Sequence, residues 1–131
     1  MKNSLTLELK VIERFIHKNK QKRYKQFVSV EKTRSKFLND LPHFKYFKNE
    51  RFMKVERHEM ALILERLKEV KRASSTCYAI SENPNLDKKI LDIAFALDAT
   101  IGYGMGTILV FGDADIVYYE GENASERLIS I

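Results

Sequence analysis

All five glycines of this 131-residue chain fall between Gly102 and Gly121. Everything before Gly102 must turn without the one residue that takes left-handed backbone at no cost. That constraint favours helices joined by short breaks, followed by a glycine-punctuated region of strands and tight turns. Charge divides the chain in a similar way. Residues 1–72 hold 20 Lys+Arg against 9 Asp+Glu, a net of +11, and residues 73–131 hold 3 against 9, a net of −6. The chain therefore reads as a basic helical part (1–72) and an acidic αβ part (73–131) of a single domain spanning 1–131. An asymmetry of this size speaks about partners, or about how the two parts meet, and identifies no reaction.

Hydrophobic periodicity supplies the elements. In residues 5–18, Leu5, Leu9, Ile12 and Ile16 recur at helical spacing, with Leu7, Val11 and Phe15 widening the stripe and Ser4 as N-cap. Residues 19–41 continue as a very basic helical stretch with two apolar patches, Tyr24/Phe27/Val28 and Phe37/Leu38/Leu41. A break is expected around residues 29–31, where the period blurs and Ser29 could cap the second piece. Pro42 ends that stretch. Residues 43–55 mix aromatic and basic residues without a period and read as irregular. Residues 56–72 form an amphipathic helix with Met60, Ile63, Leu64 and Leu67 on one face, and Glu65 and Glu69 are placed to pair with Lys68 and Arg72.

Beyond residue 75 the period changes. Residues 76–81 read as a buried strand, 82–85 as a turn, and 88–99 as a helix capped by Asp87. Three further strands are expected at 107–111, 116–120 and 127–131, joined as an antiparallel meander. The fold class is α+β: N-terminal helices packed on one face of a small, mostly antiparallel four-stranded sheet, with one helix inserted after the first strand. The last strand is expected at a sheet edge, leaving room for a homodimer by strand addition.

Known chemistry is sparse. Cys77 is the lone cysteine, which rules out an intrachain disulfide, favours a reducing, cytoplasmic setting and reads as an inert core thiol. Charged residues within 1–16 argue against a signal peptide, and no apolar run approaches the ~18 residues of a membrane span. His58-Glu59-Met60-Ala61-Leu62 begins like a zinc-protease helix, but Leu62 stands where the second histidine belongs, so no metal site is expected. Phosphate-loop and nucleophile-elbow motifs are missing, and no cofactor or catalytic residue is assigned. Asp113 and Asp115 are better explained by a turn than by metal binding.

Two groups of residues remain as candidates. One is a ligand site built from Ser81, Glu82 and Asn83 of the 82–85 turn, together with Gly102, Gly104 and Gly106 and with Tyr119 and Glu120 as neighbours. Successive glycine N–H groups can cradle an anion. Yet the order helix–glycines–strand reverses the dinucleotide fingerprint and equally suits a helix cap leading into a strand. The other is a basic face of Lys18, Lys20, Lys22, Arg23, Lys25, Lys32, Arg34 and Lys36, with Tyr24, Phe27, Phe44, Tyr46 and Phe47 interleaved or nearby. Basic groups contact phosphates and exposed aromatics stack on bases, whereas aromatics turned into the core and a basic face neutralised by the acidic part would leave only a solvated surface.

The run C-Y-A-I-S-E-N-P-N-L-D, followed by G-Y-G-M-G-T-I-L, Y-Y-E-G-E and Glu126-Arg127, resembles a family of small uncharacterised bacterial proteins with no established activity, mainly over residues 77–127. The resemblance implies one recurring unit containing the 81–85 turn, the glycine cluster and the 119–121 hairpin, and no catalytic residue. The reading is thus a non-enzymatic cytoplasmic binding or regulatory protein whose basic helical face meets an acidic partner, protein or nucleic acid. The alternative is a small-ligand protein or enzyme using the 81–85 turn and the 102–106 loop.

Overall fold

A computed structural model describes residues 4–55, 60–68, 75–123 and 125–131. The N-terminal stripe forms α1 (Ser4–Phe15), which buries Leu7, Val11, Ile12 and Phe15 and, unexpectedly, Glu8. The chain leaves the helix at Ile16, which bridges to Phe47, and the His17 N–H donates to the Tyr46 carbonyl at 2.8 Å. It then runs through α2 (Lys18–Ser29) and α3 (Glu31–Asp40), interrupted at Val30, a single extended residue at φ −125°. The break falls where the apolar period blurs. Ser29 does not cap α3, however: its Oγ donates back to the Lys25 carbonyl at 2.7 Å. Pro42 sits in a 3-10 turn, Leu41–His43, that ends α3.

The sheet has six strands, all paired antiparallel, and not four. In chain order they are β1 (Phe52–Lys54), β2 (Thr76–Ser81), β3 (Ile90–Asp92), β4 (Thr107–Phe111), β5 (Ile116–Glu120) and β6 (Arg127–Ser130), arranged β1-β6-β5-β4-β2-β3. Both extra strands are three residues long and lie at the edges. β1 comes from the segment expected to be irregular. β3 occupies the start of the expected 88–99 helix, where Ile90 and Leu91 pair with Tyr78 and Cys77. Lys88 at φ +63° makes the reversal between β2 and β3, which excludes helix at that point. The helix begins only at α5 (Ile93–Thr100), capped by Asp92, whose Oδ2 accepts from the Phe95 N–H at 3.3 Å, and not by Asp87. β6 lies between β1 and β5, so the edge expected at 127–131 is covered by β1.

Because side chains alternate along a strand, β2, β4 and β5 feed two cores. Tyr78, Ile80, Ile108, Val110, Val117 and Tyr119 pack under α1–α3. Cys77, Ala79, Leu109, Phe111, Ile116 and Tyr118 pack on the other side with α5, with Ile63 of α4 (Met60–Arg66) and with Leu67 just after it. The helices therefore cover both faces, not one, and the central strands are buried on both sides. In the expected 56–72 helix, Ile63 and Leu67 are buried, Leu64 is exposed, and Glu65 pairs with Lys68 at 2.9 Å. His58, Glu59, Glu69 and Arg72 lie outside the described residues.

Candidate functional site

The antiparallel ladder brings most of the first candidate group to one end of the sheet. Ser81 is paired with Thr107, and Thr107 with Glu120, so the 82–85 turn, the glycine loop and the end of β5 are neighbours. Their polar groups are engaged with one another. Thr107 Oγ1 donates to the Met105 carbonyl at 2.9 Å, Ser81 Oγ lies 2.7 Å from Thr107 Oγ1, and the Asn83 N–H donates to Ser81 Oγ at 3.0 Å. Glu82 Oε2 accepts from the Gly106 N–H at 2.6 Å. Glu120 Oε2 accepts from the N–H groups of Gly102 and Gly104 at 3.0 and 3.2 Å, with both glycines at positive φ. This is an anion cradle, and the protein's own carboxylate lies in it.

Glu120 is almost completely buried, at 1% exposure. Its second oxygen accepts from the Tyr118 hydroxyl at 3.0 Å and lies 3.1 Å from Arg127 Nε, off the line of a hydrogen bond. Tyr119 does not join this group. Being next in sequence to Glu120 it points to the other face, where its hydroxyl donates to the Leu41 carbonyl and accepts from the Phe44 N–H at 3.1 Å. Burial, the largest cause, pushes its phenol up to about 12.

Gly106 serves a different need. A Cβ there would lie 2.5 Å from the Leu41 carbonyl carbon and from the Pro42 nitrogen, so the 3-10 turn after α3 rests directly on the glycine backbone.

The two oppositely charged parts meet through ion pairs. Lys10 pairs with Asp113 at 2.5 Å, Arg14 with Asp115 at 3.8 Å, and His43 with Glu122 and Glu126 at 2.6 and 3.1 Å. Asp113 and Asp115 are thus engaged by α1. Arg34, expected on the basic surface, is buried instead. It donates to Glu8 at 3.0 and 2.7 Å and to Asp87 at 2.5 and 2.9 Å, and Glu8 also accepts from the Tyr78 hydroxyl at 2.6 Å. Burial alone would weaken the guanidinium's hold on its proton, but the Asp87 and Glu8 contacts outweigh it and the net shift is upward. The available signal was Glu8, a carboxylate set among Leu7, Val11 and Ile12 on the buried stripe of α1, which demands a cation.

The remaining basic candidates stay at the surface. Lys25 pairs with Glu13 at 2.9 Å. Among the described residues, no carboxylate lies within ion-pair distance of Lys18, Lys20, Lys22, Arg23, Lys32 or Lys36. Of the aromatics, Tyr24, Phe44 and Phe47 are core residues, Phe27 is half-buried between Arg23 and Lys36, and Tyr46 is 37% exposed. Lys20, Arg23 and Tyr46 border a cleft of about 390 Å³, completed by Tyr24, Asn39, Asp40, His43, Phe44 and Lys45. The Tyr24 hydroxyl donates to Asp40 at 2.9 Å; burial and then this acceptor hold its phenol well above the ordinary range. Asn39, His43 and Lys45 had no marker in the sequence, because the cleft exists only once the 39–46 segment folds back beside α2.

No group of three or more His, Cys, Asp or Glu suited to a metal occurs among the described residues, and no described helix is long and apolar enough to cross a membrane. Comparison with protein-family models, curated proteins and solved structures found no match to this chain. The resemblance over residues 77–127 therefore carries no activity to it.

Proposed function

We propose that this is a non-enzymatic cytoplasmic binding protein whose basic helical face, on α2, α3 and the segment after them, meets an acidic partner, and that the partner is a nucleic acid. One observation carries the reading. Five of the nine carboxylates of the acidic part are engaged by Lys10, Arg14, Arg34 and His43, while six cations of α2 and α3 keep no carboxylate partner among the described residues. The internal neutralisation that would silence a basic face is thus directed elsewhere. Uncompensated cations on one face are the electrostatic footprint of phosphate binding. The other candidate, a ligand at the 81–85 turn and the 102–106 loop, is less favoured because Glu82 and Glu120 already hold the glycine N–H groups a ligand would use.

The test is a salt titration of binding to short DNA and RNA. With about four phosphates contacted, log Kobs should fall linearly with log salt at a slope near −3 for a single strand. An absence of binding at ~50 mM salt would end the proposal.

A further inference from the structure

We propose that the partner is gripped in the cleft between α2 and residues 39–46, and that what the cleft takes is the phosphodiester of a single strand, with one unstacked base laid against Tyr46. The proposal rests on the reading above and narrows it to one place and one form of nucleic acid.

Charge selects the ligand's sign. Lys20 and Arg23 approach the cleft from α2 and Lys45 from the opposite wall, with His43 beside it and Asn39 adding an amide. Among the lining residues the carboxylate is Asp40, whose Oδ2 already accepts from Tyr24, and His43 is matched by Glu122 and Glu126, so the cations left to a ligand are Lys20, Arg23 and Lys45. Net positive charge remains, and a volume of about 390 Å³ suits one nucleotide-sized group.

The aromatic wall selects the strand. Tyr46 is 37% exposed, while Tyr24 and Phe44 support it from behind, their ring centroids 6.2 and 5.8 Å from its own. The ring is therefore held in place before any ligand arrives. Lys20 Nζ lies over the ring, 4.8 Å from its centroid, so a base stacking on that face displaces the lysine, which then meets the base's own phosphate. A duplex hides its base faces in the stack, so it could use the cations and gain nothing from the ring. An acidic peptide would likewise satisfy the cations and leave the ring without a planar partner.

Fluorescence anisotropy of the full chain with labelled single-stranded 12-mers of DNA and RNA, a duplex of the same sequence and an acidic peptide would test this. Arg23→Gln/Lys45→Gln removes two cleft charges. Lys32→Gln/Lys36→Gln removes two charges elsewhere on the basic half. Tyr46→Ala removes the platform. All five positions are exposed, and thermal melts confirm that each variant is folded. The expected result is single-strand binding that the cleft pair weakens at least tenfold more than the control pair. Tyr46→Ala should weaken it by roughly 5- to 150-fold, the range of one base–aromatic stack, with little change for the duplex. If single strands bind but the two charge pairs lose equally, or Tyr46→Ala has no effect, the cleft proposal is overturned and the electrostatic reading stands. Peptide or duplex binding tighter than the single strand also overturns it. If no strand binds at ~50 mM salt, both readings fall together.

Discussion

Replacing Arg34 by alanine should be among the most destabilising single changes in the chain. The side chain makes four charge-assisted hydrogen bonds, two to Glu8 and two to Asp87. Asp87 keeps the Ser81 N–H and some solvent, whereas Glu8 is 2% exposed and, among the described residues, would keep only the Tyr78 hydroxyl. A buried carboxylate stripped of its cation costs about 3–5 kcal/mol, a large share of the roughly 5–15 kcal/mol that holds a domain folded. At a urea slope of about 2 kcal/mol per molar, the midpoint followed by circular dichroism should fall by about 2 M. If the loss comes from an orphaned charge and not from the pair's intrinsic worth, Glu8→Leu/Arg34→Met should recover most of it, ending within about 2 kcal/mol of the parent. A loss under about 1 kcal/mol for Arg34→Ala, or a double variant as unstable as the single, would refute this account.

Gly106→Ala should cost about 3 kcal/mol, seen as a lowered urea midpoint, because its Cβ would collide with the backbone of Leu41 and Pro42 and no side chain can yield. An unchanged midpoint would show that the 3-10 turn shifts freely. Cys77 is buried, and desolvation, followed by Asp92, pushes its thiol up to about 12. It should react with a disulfide reagent at neutral pH only after unfolding, and rapid labelling of the folded protein would contradict the packing. His43 has its proton affinity raised by hydrogen bonds to Glu126 and then Glu122. A raised folded value means that this clamp is fully present below the unfolded value near 6.5 and is lost as pH rises through the higher folded one. An NMR titration of His43 should place it above free histidine, and a midpoint at or below 6.5 would remove the clamp from the account.

What could be read in the sequence depended on whether an element's identity was local. β2, β4 and β5 are legible to the residue because they are continuous apolar runs buried on both faces. The break at Val30 and the stop at Pro42 are local backbone matters, and were also legible. β1 and β3 were not: at three residues each, no period can establish itself, and Ile90 and Leu91 fit a helical stripe with Ala94 and Leu97 as well as they fit a strand. Only pairing with β6 and β2 decides. The candidate site divides in the same way. Lys20 and Arg23 are visible as basic residues, but that Arg34 turns inward while Lys45 joins them across the cleft depends on contacts between distant segments.

The strand order has a consequence for how the chain is made. β1 is hydrogen-bonded to β6, and the core under α1–α3 is floored by β4 and β5, all of them synthesised after those helices. While translation proceeds, Phe15, Tyr24, Phe37 and Phe44 emerge before the strands that floor their core, and incompletely covered apolar surface is the condition in which nascent chains stick to one another. The same stretch, residues 1–44, carries 11 Lys+Arg against 4 Asp+Glu. Mutual repulsion between such segments would hold neighbouring unfinished chains apart until the floor arrives, and the acidic strand ends would then draw the waiting helices down onto it.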